Sequence, residues 1–110
     1  MRILRFVLIT IFALTSVAGF AEDGKALYRA NCKVCHDKGS LNKQYTPMTL
    51  TQDQWRRAFS PGQFQAAHKS AVLPSTGKKL LESLTPEQLK AIQRFAIDHA
   101  ADSEQPATCG

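Results

Sequence analysis

The chain has 110 residues, with 14 Lys+Arg against 9 Asp+Glu for a formal charge of +5, and 44% of its residues are hydrophobic. That length excludes a multidomain protein and allows one thin core, of a size that usually leans on a disulfide, metal or cofactor. Three cysteines exclude a disulfide framework, so the stiffening must come from elsewhere.

Residues 1–21 read as a secretory signal peptide: Arg2 and Arg5, an apolar run from Phe6 to Val17, then Gly19 and Ala21 at the small positions before the cut. The run is about twelve residues, short of the ~20 that span a bilayer. The mature domain is expected to be residues 22–110, exported to the periplasm or an equivalent space, with no stable membrane anchor. Losing Arg2 and Arg5 leaves 12 Lys+Arg against 9 Asp+Glu, a charge of +3. Much of the basicity thus belongs to the export signal, and no nucleic-acid partner is expected.

Three helices are predicted in the mature chain. "DGKALYRANC" carries Ala26, Leu27, Tyr28 and Ala30 in a partial apolar stripe that leads into the cysteines. "TQDQWRRAF" opens with Thr51 and Gln54 at capping-box spacing, and Trp55 and Phe59 fall four apart on one face. "TPEQLKAIQRFAIDHA" has Thr85 as N-cap, Pro86 at the first helical position and Gln88 closing a second box. Leu89, Ile92, Phe95, Ala96 and His99 share a face of that helix, and His99 is read there as structural. Residues 37–48 and 60–77 are rich in Gly, Pro, Ser and Lys and read as irregular, with a short helix predicted around Lys78 to Leu84.

The stretch "NCKVCH" holds the chemistry. Cys32 and Cys35 at Cys-X-X-Cys spacing, followed at once by His36, suit two thioether bonds to the vinyl groups of one haem with the histidine beneath the iron. Zinc competes poorly, because a closed site wants four Cys or His ligands and no second pair exists. A redox dithiol would normally sit in a βαβ context, which this helical chain lacks.

The chain resembles the small single-haem class I cytochromes c. Gly24, Tyr28, Cys32, Cys35 and His36 reproduce that family's N-terminal helix pattern, and Phe95 matches the aromatic packed across the glycine. The resemblance implies an all-α, cytochrome c-like fold, with N- and C-terminal helices crossing around one covalently bound haem c. It further implies that the carbonyl of Pro47 accepts a hydrogen bond from His36 Nδ1. The family's usual distal methionine has no counterpart in residues 60–84, where His68 stands instead. His68 is the expected distal ligand, Met48 the alternative, and an open or other sixth position the remaining one.

Cys109 is left over near the end, and an exposed odd cysteine can pair with a second chain. Lys33 and Lys38 bracket the attachment motif and suit steering of an acidic redox partner. The expected function is one-electron transfer at low potential without catalysis of its own, since no proton-transfer or nucleophilic constellation is present. The alternatives are a haem-based sensor or small-ligand binder with a displaceable distal site, and an electron-entry subunit of a larger redox complex.

Overall fold

The computed structural model describes residues 23–107. The expected signal peptide and Cys109 lie outside the described residues. Within them the architecture is helical, with five short α-helices and a lone antiparallel bridge between Val72 and Lys79. No helix among the described residues is long and apolar enough to cross a membrane.

Helix α1 (Gly24–Tyr28) starts at Asp23, whose carboxylate accepts from the backbone N–H of Lys25 at 3.0 Å. A single continuous helix into the cysteines is predicted, but the chain widens into a π-turn over Arg29–Lys33. There Asn31 Nδ2 donates to the carbonyl of Leu27 at 2.9 Å, engaging an acceptor that an ordinary α-turn would give to a backbone N–H. Cys32, half-buried, lies within this widened turn.

Helices α2 (Gln52–Ala58) and α5 (Pro86–Asp98) carry both predicted capping boxes. Thr51 N–H donates to Gln54 Oε1 at 2.9 Å and Gln54 N–H returns to the Thr51 hydroxyl at 3.3 Å. Thr85 and Gln88 repeat the exchange at 2.9 and 3.1 Å. Helix α4 (Leu80–Ser83) falls within the predicted 78–84 segment. Helix α3 (Gln63–Ala67) is new, lying in a stretch that reads as irregular.

Helices α1 and α5 meet at Gly24. A Cβ on that residue would sit 2.4 Å from the carbonyl oxygen of Ala91 and 2.9 Å from Phe95 Cβ, so only glycine permits the approach. One turn on, the rings of Tyr28 and Phe95 pack at 5.5 Å. Helix α2 is tied to the end of α5 by Gln52, whose backbone N–H reaches Asp102 Oδ1 at 2.8 Å and whose amide reaches the Ile97 carbonyl at 3.1 Å.

The core forms two clusters. Trp55, Ala96 and Ala100 make one; Phe64, Leu73 and Leu80 make the other. Phe59 packs against both.

Candidate haem crevice

A crevice of about 660 Å³ opens beside the attachment motif, lined by Cys32, Cys35, His36, Asn42, Phe64 and His68. An adjoining hollow of about 350 Å³ shares Cys32, His36, Asn42, Phe64 and His68 and is backed by Trp55. Since they share walls, the two spaces form one cleft between the clusters, in the size range of pockets that take small molecules. Cys32 and Cys35 both carry free thiols. Burial, seconded by neighbouring Cys35, pushes the Cys32 thiol up to about 12, which keeps it neutral near pH 7. Burial, with a smaller contribution from Cys32, also holds the Tyr28 hydroxyl protonated well above its ordinary range. That hydroxyl donates to the carbonyl of Tyr45.

His36 and His68 face each other across the cleft, their ring centroids 6.2 Å apart and their planes at 80°. Two imidazoles bonded to one metal at about 2.0 Å each would place their centroids roughly 6 Å apart. Both rings also bond a carbonyl through the same nitrogen. His36 Nδ1 lies 2.9 Å from the carbonyl oxygen of Asn42 and 3.1 Å from that of Lys43. His68 Nδ1 lies 2.9 Å from the carbonyl oxygen of Phe64. A carbonyl only accepts, so in the neutral ring Nδ1 carries the proton and Nε2 keeps its lone pair for a metal. Among the described residues no group of three or more His, Cys, Asp or Glu side chains converges to hold an ion. Two thiols and two imidazoles equal in number the ligands of a two-cysteine, two-histidine zinc site but do not converge as one, and the same groups suit an iron porphyrin.

Pro47, the acceptor expected for His36, bonds a different donor in the structure. The carbonyl of Pro47 takes the indole N–H of Trp55 at 2.8 Å. A buried indole needs a partner, and Pro47 is its partner. His36 instead turns to the 42–43 loop, where Lys43 adopts φ +63°, a left-handed conformation uncommon outside glycine. Tyr45 N–H closes this loop back onto the His36 carbonyl at 3.0 Å, and its ring stands edge-on to the imidazole at 5.0 Å.

Met48 lies on the 3₁₀ turn Pro47–Thr49, 43% exposed, and lines neither space of the cleft. His99 caps α5, its Nδ1 at 2.8 Å from the Gln105 carbonyl and its ring against Phe95. It too stands outside the cleft. Lys33 and Lys38 line a further groove of about 260 Å³ that His36 also lines, together with Lys25 and Arg29.

A family model described as "Cytochrome C oxidase, cbb3-type, subunit III" matches residues 19–96, more than two thirds of the chain and all of Cys32, Cys35, His36 and His68. Comparison with curated proteins and with solved structures yields no match.

Proposed function

We propose that this chain, which belongs to the cbb3-type cytochrome c oxidase subunit III family, is an exported carrier that passes single electrons through one covalently attached haem c between His36 and His68. It is a c-type cytochrome with a haem-based role in electron transfer, and the family implies haem c. The observation that carries the finer reading is the pair of opposed imidazoles across a cleft whose wall bears both thiols.

Cys32 and Cys35 would hold the group by thioethers, each thiol adding S–H across a vinyl double bond, and His36 and His68 would ligate the iron. Haem c, when bound, supplies a one-electron couple. The residues around it do the rest. The carbonyls of Asn42, Lys43 and Phe64 hold both imidazoles through Nδ1, which would leave each Nε2 free for the iron. Phe59, Phe64 and Trp55 line the cleft with apolar surface, which keeps water from the ligands. Imidazole in place of the commoner thioether lowers the potential. Lys25, Arg29, Lys33 and Lys38 steer an acidic redox partner toward the His36 side, and the chain performs no chemistry on a substrate of its own.

The family's name favours a second reading, in which the carrier works as the electron-entry subunit of a larger oxidase. Isolation of the native protein under mild conditions separates the two, since a carrier comes alone and a subunit comes with its complex.

Ferric and ferrous spectra of the protein matured with haem test the primary reading. A low-spin, six-coordinate haem that survives Met48→Ala and turns high-spin in His68→Ala is expected. A near-infrared methionine–iron band abolished by Met48→Ala, or rapid carbon monoxide binding to the ferrous wild type, would refute it.

A further inference from the structure

The two candidate ligand rings are crossed, and each is held in its attitude by separate contacts. His36 is fixed by the 42–43 carbonyls and by the Tyr45 ring, set at 83° to it. His68 is held twice by one residue. The carbonyl of Phe64 takes its Nδ1–H at 2.9 Å, and the phenyl ring of Phe64 stacks on the imidazole at 4.2 Å and 29°. Phe64 cannot easily yield. It is 6% exposed, packed with Leu73 and Leu80, and backed by Phe59 at 5.2 Å and 13°. Turning His68 toward the plane of His36 would break the hydrogen bond or drive the imidazole through the phenyl face.

Resting on the assignment of His36 and His68 as the axial pair, we propose that Phe64 is a positioning residue that locks the His68 imidazole across the plane of His36. An imidazole bonded through Nε2 interacts most strongly with the metal d orbital that lies perpendicular to its own ring. Two aligned rings act on the same orbital and split it from its partner. Two crossed rings act on one orbital each and leave the pair close in energy. Near-degeneracy of that kind leaves orbital angular momentum in the ferric state and makes its magnetic response strongly directional. The angle between the rings is thus a control on the iron's electronic state separate from the identity of the ligands.

Electron paramagnetic resonance of the ferric, haem-loaded full chain tests this. Wild type is expected to give a strongly anisotropic low-spin signal, dominated by one feature at very low field. Phe64→Leu keeps the backbone carbonyl but removes the stacked ring. Its low-field feature should move toward the three-line rhombic pattern of aligned imidazoles while the optical spectrum stays low-spin. Phe64→Tyr, which keeps the stack, should restore the wild-type signal. A rhombic three-line signal in wild type would overturn the proposal and leave the ligand assignment standing. So would a Phe64→Leu signal identical to wild type. A high-spin signal or a methionine–iron band in wild type would remove the ligand assignment and this inference with it. The wild-type signal decides the crossing even if Phe64→Leu loses the fold.

Discussion

Trp55 donates its indole N–H to the carbonyl of Pro47, eight residues earlier, over 2.8 Å in a buried setting. The bond joins the turn before α2 to the core cluster that Trp55 shares with Ala96 and Ala100. Replacing Trp55 by phenylalanine keeps an aromatic in place but strands that carbonyl and leaves a void. The carbonyl alone should cost about 1–3 kcal/mol. Denaturant unfolding of the haem-loaded protein measures it, and an unchanged midpoint would show that the bond contributes nothing.

Gly24 predicts a sharper loss than an ordinary helix-start glycine. Alanine at an open helical site normally stabilises by up to about 1 kcal/mol. Here its Cβ would meet the Ala91 carbonyl oxygen at 2.4 Å, which is backbone and cannot swing aside. Gly24→Ala should therefore destabilise by about 1–3 kcal/mol through overpacking. A midpoint that rises instead would mean that α1 and α5 are not so closely set.

His68→Met should keep a low-spin haem and raise its midpoint potential by on the order of 0.1 V, a fraction of the ~0.8 V range over which axial ligands act. Met48→Leu should leave the potential in place, because Met48 stands at the surface outside the cleft. Redox titration of the two variants beside wild type gives both values. Movement in Met48→Leu with none in His68→Met would reverse the assignment.

Lys33 and Lys38 flank His36 without an ion-pair partner within 4 Å among the described residues. The double variant Lys33→Glu/Lys38→Glu should slow electron exchange with an acidic protein about tenfold at low salt. The difference should shrink as the Debye length falls from ~10 Å at 0.1 M to ~3 Å at 1 M. Stopped-flow traces across that salt range decide it, and equal rates at every ionic strength would remove the steering role.

The parts of this structure legible in the sequence are the local ones. Thr51 with Gln54 and Thr85 with Gln88 bond to each other three residues apart, so spacing alone announces them. The opposition of Gly24 and Phe95 is long-range, and it was readable only through resemblance to a family. Helix α3 was not readable, being little more than one turn long and preceded by Gly62, which has no capping side chain. Gln65 supplies the cap from inside, accepting the Gly62 N–H at 3.0 Å. Missing α3 also hid the role of Phe64, although an aromatic four residues before a histidine is a visible helical pair. The acceptors for His36 left no trace at all. They are main-chain carbonyls aimed by a left-handed Lys43, and neither residue's side chain advertises that geometry.

Phe59 packs against both core clusters, one carrying the Trp55 side of the cleft and the other the Phe64–His68 side. Its ring, at the C-terminal end of α2, joins the two clusters that wall the cleft. A porphyrin held by Cys32, Cys35 and His36 on one wall and by His68 on the other would add a second link across the cleft, beside the one that Phe59 already makes.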